Sequence, residues 1–236
     1  LPMTASGSPS SPRTARSKRL PRHAARAPAK VTGPARRRSQ AERSDESEIR
    51  LLEAAARVIE GEGFAAATFD RIGELAGYSR GLASAKFGSK DGLVRAVIAF
   101  VQRRLEARTT AALAMLDRPD ATELILSWTD TLLEVVQTDE LVRAYFVMMA
   151  VAVGNRADNR PAFLDAHEQV RVRLRDLIEA GQASGTISAK VDADATALSI
   201  GSLQLGIAVE LLLDPTLDIG RMRATARQAV RGMLGI

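Results

Sequence analysis

The chain of 236 residues is 46% hydrophobic, enough for a sizeable core, and lacks cysteine, which excludes disulfides, thiolate metal sites and a catalytic thiol. Its net charge of +5 is unevenly placed: residues 1–43 hold eleven of the 33 Lys and Arg and one of the 28 acids, Glu42, leaving 22 bases against 27 acids in 44–236. The longest uninterrupted apolar run, 144–153, falls short of the roughly 18 to 20 residues a membrane-spanning helix needs, so no membrane association is expected.

Residues 1–43 are rich in Pro, Ser, Ala and Arg and nearly free of large apolar side chains. Such a segment cannot bury enough surface to offset its ordering entropy, and a disordered basic tail is expected. Arg36, Arg37 and Arg38 resemble the start of a twin-arginine export signal, but the "SQAERSDESEI" that follows is polar and acidic, so a cytoplasmic location is expected. The tail reads as a solubilising leader, as sequence preceding a later true start, or as a basic arm that adds non-specific phosphate contacts.

From about Ser44 helical periodicity begins. Ile49, Leu52, Ala56 and Ile59 share a face, and Gly61 and Gly63 end this helix. Thr68 is placed to cap "FDRIGELA", with Ile72, Leu75 and Ala76 on its buried side and Gly77 at its end. Ser79 caps "RGLASAKF", Gly88 breaks it, and Ser89 caps a long helix running to about Leu116. Further helices are marked by Leu124, Trp128, Leu132 and Val135, by the nearly all-apolar run 141–153, and by Phe163, His167, Val170, Leu174 and Leu177. The last two span about 192–213 and 217–234, with no strand pattern anywhere. The fold class expected is all-α.

Two short helices joined by a glycine-containing turn form the layout of a helix-turn-helix, whose second helix enters the DNA major groove. Small residues at Gly81, Ala83, Ser84 and Ala85 keep that helix slim, and the helix start at Ser79 offers free backbone N–H groups to a phosphate. Arg80 suits a phosphate or a guanine edge, and Lys86 and Lys90 suit the flanking strands. Residues 80–104 hold six bases and one acid, Asp91.

The stretch "IRLLEAAARVIEGEGFAAATFDRIGELAGYSRGLASAKFGSKDGL", about a fifth of the chain, resembles the DNA-binding domain of the TetR (tetracycline-repressor-like) family of bacterial regulators. The matching residues are Ala54 and Ala55, Gly63, Phe64 and Thr68, Ile72, Ala76 and Gly77, Ser79 and Gly81, then Phe87, Ser89, Lys90 and Leu93. The resemblance implies a repressor that binds a pseudo-palindromic double-stranded operator as a homodimer and responds to a ligand. It assigns DNA contacts to Thr68, Ser79, Arg80, Lys86 and Lys90. Leu82, Ala83 and Ser84 depart from the family pattern, where Thr and then Leu-Tyr are usual, so Gly81, Leu82 and Ser84 join the candidate DNA-reading set as the place where operator choice differs. On this basis residues 1–43 are the tail, 44–92 a three-helix DNA-binding head, and 93–236 a ligand-binding and dimerisation domain.

The helix over 192–213 has two apolar faces, Leu198, Leu205 and Leu212 on one and Ile200, Leu203, Ile207 and Leu211 on another. With the stripe Ile219, Met222, Ala226, Ala229 and Met233 it offers a homodimer surface closing as a four-helix bundle. Phe100, Trp128, Tyr145, Phe146, Met149, Phe163 and His167 are candidates to line an apolar small-molecule effector pocket, core packing being the other use of such residues. No phosphate loop, nucleophile elbow or metal-ligand spacing occurs, so neither enzyme activity, cofactor nor metal is expected. A non-specific DNA-packaging protein is the rival function, separable by its indifference to DNA sequence.

Overall fold

The computed structural model describes residues 39–236; the bulk of the basic tail lies outside the described residues. Within them the chain is helical, with a single 3₁₀ turn at Phe64–Ala66 and no strand. The helices are α1 (Gln40–Glu62), α2 (Phe69–Ala76), α3 (Arg80–Phe87), α4 (Lys90–Leu113), α5 (Ala121–Thr138), α6 (Glu140–Gly154), α7 (Arg160–Ser184), α8 (Ala193–Leu213) and α9 (Ile219–Met233).

Periodicity places the first helix start near Ser44, and the tail was expected to reach residue 43. Instead α1 begins at Gln40, because Ser39 and Glu42 form a reciprocal capping box. The Glu42 N–H donates to Ser39 Oγ (3.1 Å) and the Ser39 N–H donates to Glu42 Oε2 (2.7 Å). The next turns are polar and solvent-facing, so no apolar stripe announces them. Ile49 also departs from expectation: it is 40% exposed, while Leu51, Leu52, Ala55, Ala56 and Ile59 form the buried face.

α2 packs on α1 and on α3, a group of N-terminal helices termed the head, and α1 also packs on α6. Further along the chain α5 packs against α4, α6, α7, α8 and α9, and Ile125, Leu133, Val135 and Val136 are fully buried. Asp139 joins α5 to α6: its Oδ1 accepts from the Leu141 N–H (3.0 Å) and its Oδ2 pairs with Arg104 Nε of α4 at 2.7 Å. Arg143 of α6 pairs with Glu60 of α1 (2.5 Å) and donates to the Gln137 carbonyl.

α8 meets the length and apolarity of a membrane span, with mean hydropathy 1.6, although no uninterrupted run in the sequence pointed to one. In the fold one of its faces, Ala197, Ile200, Gln204, Ala208 and Leu211, is buried, and the helix packs against α5, α7 and α9. Gln204 is 2% exposed, and its Nε2 donates to Thr129 Oγ1 of α5 (2.9 Å), which donates in turn to the Ile125 carbonyl. The opposite side of α8 leaves Leu198, Val209 and Leu213 at 59%, 38% and 74% exposure.

Candidate DNA-binding face and ligand cavity

α2 and α3 are eight residues each, too short to persist without packing. Thr68 caps α2 by accepting from the Arg71 N–H (3.2 Å), and Ser79 caps α3 by accepting from the Leu82 N–H (3.3 Å). Between them Gly77 takes φ +74°, a left-handed conformation that side chains resist, and the Tyr78 N–H closes the turn on the Gly73 carbonyl (2.8 Å). Gly73 matters for another reason: a Cβ there would lie 2.9 Å from the Tyr78 carbonyl oxygen. The close contact of α2 with the turn depends on that missing methyl.

α3 turns Ala83 and Phe87 inward, and Phe87 packs near Phe69, ring centroids 6.2 Å apart. Leu82 is half-buried against the same core, whereas Arg80, Gly81, Ser84 and Ala85 face outward. The slim outward surface is thus present, with Leu82 at its edge rather than its centre. Leu75, expected on the buried side of α2, is 38% exposed.

The three cations expected at DNA have different surroundings. Arg80 is exposed and pairs with Asp70 at 3.3 Å, an ion pair too solvated to hold it firmly. Lys86 is only 17% exposed, and its Nζ donates to the Ser44 carbonyl (2.9 Å) and Oγ (2.7 Å) and pairs with Glu48 (3.3 Å), bracing α3 against α1. Lys90 donates to the Ala65 carbonyl (3.0 Å) and lies over the Phe64 ring (4.7 Å). Two of the three therefore hold the head together.

A cavity of about 220 Å³ lies among α4, α5, α6, α7 and α8. Trp128, Tyr145, Phe146 and His167 are among the residues that line it. Phe163 and Met149 stand behind them: Phe163 meets Tyr145 edge-on at 5.4 Å, and Met149 Sδ lies 3.1 Å from His167 Nε2. Phe100 is absent from the lining and lies beneath Arg104, 5.6 Å from ring centre to guanidinium carbon. The sequence did not reveal the wall supplied by α8, where Leu198, Ser202, Gln204 and Leu205 line the space. Its two apolar faces accounted for a core and a partner, leaving no residues for a third use.

The cavity has little free charge. Arg171 is its one charged lining residue, and it is held by Glu168 (2.6 Å) and Asp194. Burial lowers the His167 pKa from 6.5, keeping the imidazole neutral near pH 7, and burial pushes the Tyr145 hydroxyl well above its ordinary value. A predominantly apolar molecule fits such a lining.

A profile described as bacterial regulatory proteins, tetR family, matches residues 51–97, and one described as BetI-type transcriptional repressor, C-terminal, matches residues 121–235. Among solved structures, a TetR-family transcriptional regulator from Rhodococcus sp. is similar at 23% identity and TM-score 0.70, covering 80% of this chain and 99% of its own. The fatty acid degradation regulator FadR from Bacillus halodurans is similar at 15% identity and TM-score 0.70, over 80% of this chain and 96% of its own. AibR, solved with isovaleryl coenzyme A and operator DNA, is similar at 16% identity and TM-score 0.60, over 80% and 98%. These likenesses concern the fold. No curated protein sequence matches the chain.

Proposed function

The chain belongs to the TetR family of DNA-binding transcriptional regulators, and on that premise we propose that it is a homodimeric repressor whose grip on a pseudo-palindromic operator is released when an apolar small molecule enters the cavity. The observation that carries this reading is the double use of α6. Its Val142, Tyr145 and Phe146 line the cavity, while the same helix packs on α1 of the head and ties to it through Arg143 and Glu60. A ligand that favours one position of α6 therefore biases the head, which is what coupling between two sites requires.

In this reading residues 44–92, with 39–43 extending the first helix, are the DNA-binding head, and 93–236 bind ligand and partner. Arg80, Gly81 and Ser84 face the groove, and Thr68 and Ser79 present helix starts to phosphates. Lys86 and Lys90 act chiefly by fixing the head. Residues 195–209 contain no charged side chain, so two copies can meet along this part of α8 without burying a charge. The BetI-type repressor profile over the C-terminal half supports the repressor assignment.

The test is footprinting on DNA upstream of the protein's own gene at physiological salt. A protected pseudo-palindrome is expected, and Arg80→Ala should lower specific affinity by about 1–3 kcal/mol. Scrambled DNA bound as tightly as the protected site would instead establish a non-specific packaging protein.

A further inference from the structure

Beside the main cavity lies a second of about 60 Å³, enclosed by α4, α5 and α7. Trp128, Val170 and Leu174 face both spaces, so side chains rather than backbone divide them. The small cavity has three polar lining residues, Thr109, Trp128 and Arg173, and no acid.

All three offer donors. An indole N–H and a guanidinium can only donate, and a threonine hydroxyl can donate or accept. Thr109 is 3% exposed and Trp128 8%, yet neither Thr109 Oγ1 nor Trp128 Nε1 has a hydrogen-bond partner. A helical threonine commonly bonds to the carbonyl one turn earlier, as Thr129 does to Ile125, and Thr109 does not. The Arg173 guanidinium lies over the Trp128 ring at 5.3 Å, and its nearest carboxylate contact is a loose one with Glu106 at 3.7 Å. Two buried donors without acceptors, next to a cation, are complementary to a group that only accepts or is anionic.

We infer that the effector is amphipathic, with an apolar body in the 220 Å³ cavity and a carboxylate head in the 60 Å³ cavity, received by Trp128, Thr109 and Arg173. The body corresponds to roughly seven or eight methylenes, taking each to fill about the ~30 Å³ of a water molecule. The head enters past Trp128, whose ring forms the partition. This rests on the reading of the main cavity as an effector site, and it adds the chemical class of the ligand.

Trp128 is the chain's single tryptophan, so its emission reports on both cavities without a label. The full chain is titrated with octanoate, methyl octanoate and octylamine, which each carry an unbranched eight-carbon chain and differ in the head, and separately with the neutral dye N-phenyl-1-naphthylamine. Octanoate is expected to bind at least about tenfold tighter than octylamine, with the ester between them. Thr109→Val, which removes only the hydroxyl, and Arg173→Met, at a half-exposed position that the fold tolerates, should each weaken octanoate by about tenfold and leave the dye unaffected. Octylamine binding as tightly as octanoate, or an acid preference unchanged in both variants, would overturn the head site while dye binding upheld the effector cavity. Failure of dye and all three chains to bind would remove the cavity reading and the inference together.

Discussion

The His167 ring lies 6.3 Å from that of Tyr145 in a stacked arrangement, and Nε2 meets the Met149 thioether. Burial disfavours the imidazolium, so the folded pKa falls below the ordinary 6.5. Between the two values the unfolded chain binds more protons than the folded one, and stability present above pH 6.5 is lost as pH falls toward the lowered value. Melting temperature should therefore drop between pH 7.5 and 5.5 by more in the wild type than in His167→Gln; equal drops would show that His167 carries none of the slope. Lys86 shows the limit of legibility at this scale. Its charge and its place in α3 were readable, but its partner Ser44 is 42 positions away, and nothing local distinguishes a lysine aimed at phosphate from one aimed at a carbonyl. Phe100 failed for a related reason: an aromatic residue on a helical stripe carries no mark of whether it faces a cavity or a neighbouring arginine.

Among elements, the α2–α3 pair turns on glycines with opposite roles. A methyl at Gly73 meets backbone atoms, the Tyr78 oxygen and the Ser79 carbon at 3.1 Å, which cannot give way as a side-chain tip would. A methyl at Gly81 meets only Ser79 Oγ at 3.7 Å. Gly73→Ala is therefore expected to destabilise the head by on the order of 1–3 kcal/mol and abolish footprinting, as overpacking against fixed atoms does. Gly81→Ala should melt at or slightly above the wild-type temperature, since alanine is the better helix former, while DNA binding should weaken if, as proposed, the exposed side of α3 enters the groove. Matching melting curves for the two variants would contradict this contrast. The sequence made Gly77 legible, because a turn residue after a short apolar helix has a local meaning. Gly73 was not legible, and neither was Gly92, where a Cβ would collide with the Phe87 carbonyl. Their need for glycine arises from backbone five to seven residues away that folds back across a turn, a close approach that no helix or turn propensity at the glycine itself signals.

For the whole molecule, periodicity was enough to read an all-α fold, since the described helices carry buried stripes and all but α7 have a side-chain N-cap. The cavity was not, because five helices leave a space that none of them specifies alone. The proposed dimer surface can be tested without disturbing that space. Gly206 is exposed on α8, away from the cavity lining, and a Cβ there meets nothing within 4 Å. Gly206→Arg should therefore fold as the wild type does, yet place a charge on the uncharged face. Light scattering should then find a monomer at concentrations where the wild type is a dimer, and footprint affinity should fall as the second half-site contact is lost. A dimeric Gly206→Arg would place the interface elsewhere.

The buried amide of Gln204 has a mechanical consequence. A helix as uniformly greasy as α8 can slide or roll against its neighbours at little cost, one leucine replacing another. The bond from Gln204 to Thr129 opposes this, because a shift of one residue would strand the Gln204 amide in the interior, while Thr129 keeps its bond to the Ile125 carbonyl. α8 is thereby keyed to α5, which gives the proposed effector cavity one wall whose position along its neighbour is fixed.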